Sequence, residues 1–141
     1  MHPAFRNTLA IIVGWLIGSG VNLGLVNLGH VIFPLPGVDP QDMEALAAAV
    51  PTADPTFFLF PFLGHALGTL GGASVAALIA TARWQMRAAL IIGVLFFLGG
   101  LAVNYLLPGP LWFTTLDLVV AYFPMAWLGG SLAKRLRPAK A

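Results

Sequence analysis

Four long stretches with almost no charge dominate this chain, at about 9–33, 57–82, 88–107 and 111–133. A hydrocarbon layer about 30 Å thick is crossed by a helix of roughly 20 apolar residues, and each stretch is long enough. A soluble reading would have to bury all four within 141 residues. A water-facing surface takes about a quarter charged residues in an ordinary domain, whereas this chain has 9% charged and 59% hydrophobic residues. Lipid must therefore be the solvent. The predicted fold class is all-α: a polytopic membrane protein, a four-transmembrane-helix bundle, forming one domain over 1–141.

The charges give the spans a direction. Arg6 precedes span one, Arg83 and Arg87 join spans two and three, and Lys134, Arg135, Arg137 and Lys140 follow span four. Asp39, Asp42, Glu44 and Asp54 lie in the 34–56 loop on the other side. Lys and Arg are retained on the cytoplasmic side, so both termini are expected there, with the 34–56 loop and the "PGP" turn at 108–110 outside. The net charge of +2 is explained by this topology, and no nucleic-acid partner is expected. The opening "MHPAFRNTLAIIVGWL" has a basic residue before an apolar run, as a signal peptide does. The run is too long and lacks a prompt small-residue cleavage site, so an uncleaved span is expected.

Within the loop, "PQDMEALAAAV" at about 40–50 reads as a short helix, with Asp39 as its cap, Pro40 in its first turn, and Asp42 and Glu44 at the positive end of its dipole. Met43, Leu46, Ala47 and Val50 would rest on the membrane or on the bundle. Asp54-Pro55 is a start signal for span two. Phe57, Phe58, Trp112 and Phe113 at one interface and Trp84 at the other read as interfacial anchors.

Span two carries Gly64, Gly68, Gly72, Ala76 and Ala80 at four-residue spacing, with His65, Thr69, Ala73 and Ala77 beside them. Span one has Gly14, Gly18 and then Asn22. Faces without bulk let membrane helices approach closely. Packing inside one bundle is the plainer reading; docking of a second copy or a partner's helix is the sharper one.

Two histidines, His30 and His65, and one carboxylate stand inside these apolar runs. At about 1.5 Å per residue, His65 lies roughly 12 Å and Asp117 roughly 9 Å inward from the loop side. Asn22, Asn27 and His30 on span one, Asn104 on span three and Thr114 on span four lie toward the same side. Asp117 is the only carboxylate within a span. Such residues are costly, face the bundle interior and have partners; His65 is the expected one, and the bond would fix the imidazole tautomer. Pro124 removes a backbone donor and predicts a kink below Asp117. Four readings stay open for this polar cluster of His65, Asp117, Asn22, Asn104, His30, Asn27, Thr69 and Thr114: interhelical glue, a proton-coupled or ion site, a ligand or lipid-headgroup site, and a metal site. Two histidines and an aspartate suit zinc, but metal-ligand spacing is missing, so no metal and no cofactor are expected. There is no cysteine, no nucleophile elbow, no Walker loop and no dinucleotide fingerprint.

The phrases "FPFLGHALGTLGGASVAALIA", "LPGPLWFTTLDL" and "AYFPMAWLGGSLA" resemble a family of small bacterial four-span inner-membrane proteins of uncharacterised activity. The resemblance covers most of the chain. It implies a multi-pass protein of a bacterial cytoplasmic membrane and brings no activity and no site residues. Small multidrug exporters and fluoride channels have a similar size, but the first-span glutamate of the former and the Gly-Arg-Asn patterning of the latter are missing here. The function expected from the sequence is non-enzymatic: packing with itself, with lipid or with a larger membrane complex. The first alternative is a small oligomeric transporter or channel using Asp117 and His65. The second is a membrane enzyme acting on a lipid or isoprenoid.

Overall fold

A computed structural model describes residues 2–137. Its helices are α1 (Pro3–Ile32), α2 (Met43–Ala49), α3 (Leu59–Ile79), α4 (Gln85–Leu106), α5 (Leu111–Val120) and α6 (Phe123–Leu136), and no strand occurs among the described residues. Four helical stretches, Pro3–Ile32, Pro55–Ile79, Ala82–Leu106 and Leu111–Leu136, are long and apolar enough to cross a membrane. The chain is thus an all-helical four-span bundle, with the character of a multi-pass membrane protein.

The bundle is organised by what its helices lack. α3 is central, packing against α1, α4 and α6. Gly14 faces Gly72 and Ala76, Gly18 faces Gly68, Asn22 faces Gly64, and Gly29 faces Phe60. The numbers rise on α1 as they fall on α3, so the two helices run antiparallel and stay in contact along their length. A Cβ on Gly14 would sit 2.6 Å from the Gly72 carbonyl oxygen, and one on Gly18 would sit 2.6 Å from that of Gly68. Backbone therefore fills the space that side chains usually take, which is how lipid-embedded helices gain packing. The span-two ladder thus packs within the chain, by way of Gly64, Gly68, Gly72 and Ala76. α6 uses the same device: Gly129 lies against Leu70 and Ser74 of α3, and Gly130 against Ala89 and Met86 of α4.

Large apolar side chains such as Trp15, Leu16, Leu98 and Trp127 point outward instead. The interior holds mostly alanine, and the largest fully buried side chains are Tyr122, Ile92, Gln85, Thr69 and Asp117. Four of these five are polar. With lipid tails as the surroundings, burying apolar bulk gains little, so the interior is left to small and hydrogen-bonding groups.

Two expectations about the loop helix need correction. The loop helix runs over Met43–Ala49, not 40–50, and Asp42 caps it, accepting the Glu44 and Ala45 amides at 3.0 Å. Asp39 belongs to the preceding turn, where its carboxylate accepts the Gln41 amide at 2.9 Å. Pro51 lacks an N–H, and the helix gives way to a 3₁₀ turn over Val50–Thr52. Ahead of it, Pro36 and Gly37 make a turn closed by the Val38 amide on the Leu35 carbonyl at 3.1 Å, with Gly37 at φ 74°; positive φ at that position favours glycine. Asp54 does start span two, accepting the Thr56 amide at 2.9 Å.

The aromatic anchors also divide. Phe57, Phe58 and Phe113 are buried, and with Val50 they form a separate apolar cluster under the loop. Trp112 is exposed as an anchor would be, while Trp84 packs partly against the main core. The 34–56 loop is thus a cap seated on an aromatic plug.

Span one begins two turns earlier than its apolar run, at Pro3, because Arg6 and Asn7 have work at the end of α3. The last carbonyls of a helix lack intrahelical donors. Arg6 Nε donates to the Ile79 carbonyl at 2.6 Å, and Arg137 donates to the carbonyls of Leu78 and Ala80. Asn7 Oδ1 accepts from the Thr81 amide at 2.9 Å. Gln85 Nε2 donates to the Arg137 carbonyl at 3.1 Å. Cations there also suit the negative end of the helix dipole.

Candidate functional site

Span four is broken, and the break builds the site. α5 ends at Val120 and α6 starts at Phe123, with Pro124 in its first turn. Tyr122, at φ −112° and ψ −79°, turns the chain between them. The sequence predicts a kink at Pro124; the structure places a full interruption two residues before it. The Pro124 ring is accommodated at a helix start, where its missing N–H costs nothing.

Asp117 sits one turn above this break and is completely buried. His65 Nδ1 of α3 lies 2.9 Å from each of its two carboxylate oxygens. The Tyr122 hydroxyl donates to Asp117 Oδ2 at 2.8 Å. Against an ionised carboxylate, which can only accept, Nδ1 must carry the proton. Nε2 of the neutral ring is then an acceptor with no partner among the described residues. With the carboxylate ionised, the cluster carries one negative charge when the imidazole is neutral and none when it is protonated.

The imidazole is not sealed in. Its side chain is 12% exposed while that of Asp117 is 0% exposed. It borders two cavities. One, of about 160 Å³, is a crevice between α1 and α4 lined by Trp15, Ser19, Asn22, Leu95, Phe96, Gly99, Gly100 and Val103, with His65 and Tyr122 at its end. The other, of about 120 Å³, lies beneath the cap among Val26, His30, Leu46, Val50, Phe57, Phe58 and Phe113, and also reaches His65. His65 and Val103 line both. The crevice has polar groups deep in the span region, whereas the cap cavity, nearer the loop, is walled mostly by apolar side chains, with His30 and Asn104 among them.

The predicted polar cluster divides accordingly. His65 and Asp117 are joined, with Asn22 across the crevice. Asn104 and Thr114 form a second pair: Thr114 Oγ1 donates to Asn104 Oδ1 at 2.8 Å, and Asn104 Nδ2 donates to the Gly100 carbonyl at 2.9 Å. That pair ties α4 to α5 and does not touch Asp117. His30 is stacked on Phe57, ring centroids 6.0 Å apart. Asn27 is exposed on the outer side of α1 and stands apart from the cluster; a residue five positions from Asn22 falls about 140° round the helix. Thr69 is fully buried on α3, one turn from His65, and its hydroxyl has no partner among the described residues. No three His, Cys, Asp or Glu side chains gather as a metal-holding group among the described residues.

Tyr122 is the member that sequence reasoning misses. Residues five apart on a continuous helix diverge by about 140°, so Tyr122 should face away from Asp117. Only the break at Ala121–Tyr122 lets its hydroxyl return to the carboxylate. Gly100 supports this: the Tyr122 ring and hydroxyl occupy the place a Cβ would need. The "YFP" step after an intramembrane aspartate was the available signal.

Comparison of the chain with protein-family models, with curated proteins and with solved structures finds no match in any of the three. The resemblance to small bacterial four-span proteins rests on the quoted phrases alone.

Proposed function

We propose that this chain is a small, non-enzymatic integral membrane protein that binds a small polar solute at His65, Asp117 and Tyr122. The observation that carries this reading is the position of His65. Its ring is held by a buried carboxylate and forms the wall shared by two cavities. An ionisable pair at such depth is costly, and its usual justification is a pathway or a ligand.

Size and polarity narrow the ligand. A cavity of about 150 Å³ holds a molecule the size of benzene, so the crevice at about 160 Å³ suits a solute of few heavy atoms, not a whole lipid. A phospholipid standing upright would also put its headgroup in the apolar cap cavity and its chains in the polar crevice. A hydrogen-bond donor or small cation suits the Nε2 acceptor and a cluster with one negative charge. The paired Asp117 and His65 have the form of a hydrolytic base. Among the described residues, however, no hydroxyl is bonded to the other ring nitrogen, which favours binding over nucleophilic catalysis.

The test uses detergent-solubilised protein with ¹⁵N-labelled histidine, titrated with methylammonium and, separately, acetate. Methylammonium should shift the His65 ring resonances and acetate should not. A folded protein indifferent to both would sink the reading.

A second reading, proton-coupled translocation, is favoured by access to His65 from two cavities. Binding sites near the bilayer midplane are usual in secondary transporters. Proteoliposomes carrying an internal pH dye should then show flux that Asp117→Asn abolishes. In either reading the protein belongs to a bacterial cytoplasmic membrane, with the cap outside and both termini inside.

A further inference from the structure

At the end of the bundle remote from the cap, the start of α1 and the α3–α4 turn flank an open, largely apolar cleft of about 450 Å³, lined by Pro3, Asn7, Thr81, Arg83, Trp84 and Arg87 among others. We propose that this cleft binds the phosphate of an anionic lipid, with Arg83 and Arg87 as its ligands. The proposal is independent of the His65 site.

Three observations carry it. The first is charge. Four of the chain's five acids lie in the 34–56 loop and the fifth is Asp117, so no carboxylate side chain stands at this end. Arg6 and Arg137 are occupied by the last carbonyls of α3, whereas Arg83 and Arg87 are exposed and, among the described residues, paired with no acid. The second is order. The Arg87 guanidinium lies 5.5 Å from the centre of the Trp84 ring, and Trp84 packs partly on the core. That contact fixes where the guanidinium stands at little cost in freedom. The cleft floor is fixed too, because Thr81 is bonded to Asn7 through both its amide and its hydroxyl. The third is chemistry. Two guanidinium forks match phosphate oxygens bidentately, and a tryptophan at a span end sits at the depth of lipid headgroups. Free phosphate offers the same oxygens, but only a lipid would also use the Trp84 anchor.

The experiment is native mass spectrometry of the full chain in a neutral detergent, with phosphatidylglycerol and phosphatidylcholine supplied equally. Arg83→Gln/Arg87→Gln is compared with Lys134→Gln/Arg135→Gln, which removes the same charge from exposed positions at the end of α6. Bound phosphatidylglycerol should exceed phosphatidylcholine in the wild type and fall about tenfold in the first variant, but less than twofold in the second. Equal loss in both variants would mean diffuse attraction and overturn the site, as would the absence of any preference in the wild type. Displacement of the lipid by millimolar inorganic phosphate would assign the cleft to a free anion and overturn the lipid. Arg83→Lys/Arg87→Lys, which keeps the charge and loses the forks, should fall between wild type and the glutamine variant.

Discussion

Tyr122 donates its hydroxyl to Asp117 at 2.8 Å, although only five residues separate them. The contact crosses a helix break, so it reports the break itself. It also completes the coordination of a carboxylate that His65 reaches from another helix. A hydrogen bond to a charged group contributes about 1.5–3 kcal/mol. Tyr122→Phe should therefore lower stability by about 2 kcal/mol with the α5–α6 geometry intact, as measured by reversible unfolding in mixed micelles. A loss below a few tenths would mean that the hydroxyl is solvated from the crevice and contributes nothing.

The α1–α3 contact separates glycines by what stands opposite them. Gly72 has the Gly14 carbonyl oxygen 2.6 Å from where its Cβ would be, while Gly20 and Gly24 have open space. Opposing backbone cannot swing aside as a side chain can. Gly72→Ala and Gly14→Ala should each cost about 1–3 kcal/mol by overpacking. Gly20→Ala should be neutral or gain up to about 1 kcal/mol from helix propensity. Equal melting of all three variants would place the α1–α3 contact elsewhere.

This contrast bears on what could be read from the sequence. The four spans were legible because the penalty for charge in hydrocarbon is large and local, and needs no tertiary detail. The Gly-xxx-Gly faces were legible too, since four-residue spacing fixes a face. The pairing of His65 with Asp117 followed from matched depth and the cost of a lone carboxylate. Tyr122 was hidden because its role depends on an interruption whose exact place is set by packing against Gly100. Asn27 misled because depth alone says nothing about which side of a helix a residue takes. Arg6 read as a topology signal, and its second role, capping α3, needed the neighbouring helix end to be seen.

The start of span two has a pH signature. The hydroxyl of Thr56 and then its amide, both donating to Asp54 Oδ1, hold the Asp54 carboxyl below its ordinary range. A carboxylate depressed in the folded state contributes stability that is complete above its unfolded value of about 4. That contribution is lost as pH falls through the lower, folded value. The Thr56 amide resonance should stay constant down to about pH 4 and move only below it. A midpoint at or above the ordinary aspartate value would contradict the capping role. Asp54→Asn should remove the transition.

The orientation proposed from the basic residues has a direct check. Cysteines introduced at Gln41 and at Ala139, which lies outside the described residues, should label oppositely with an impermeant thiol reagent in intact cells, Gln41→Cys being the reactive one. The native chain has no cysteine, so there is no background. Labelling of Ala139→Cys alone would invert the bundle. The Arg83–Arg87 cleft would then face outward.

The proton between His65 and Asp117 is the most discriminating observable of the site. With Asp117 ionised, Nδ1–H donates to the carboxylate and Nε2 is bare. A protonated Asp117 would reverse this, donating to a bare Nδ1 and leaving the proton of the neutral ring on Nε2. ¹⁵N shifts of the two ring nitrogens distinguish the forms. Asp117→Asn keeps the shape and an acceptor for Nδ1–H but removes the charge. It should preserve the fold and weaken methylammonium binding by at least tenfold, since hydrogen bonds to charged groups exceed neutral ones by about 1 kcal/mol or more and the ligand's charge loses its counterpart. Asp117→Leu is harsher. It leaves the buried Tyr122 hydroxyl and the His65 Nδ1–H without a partner, at about 1–3 kcal/mol for each unmet group. If the asparagine variant bound methylammonium as well as wild type and only the leucine variant lost stability, the pair would be interhelical glue. The ligand site would then have to be sought elsewhere in the crevice.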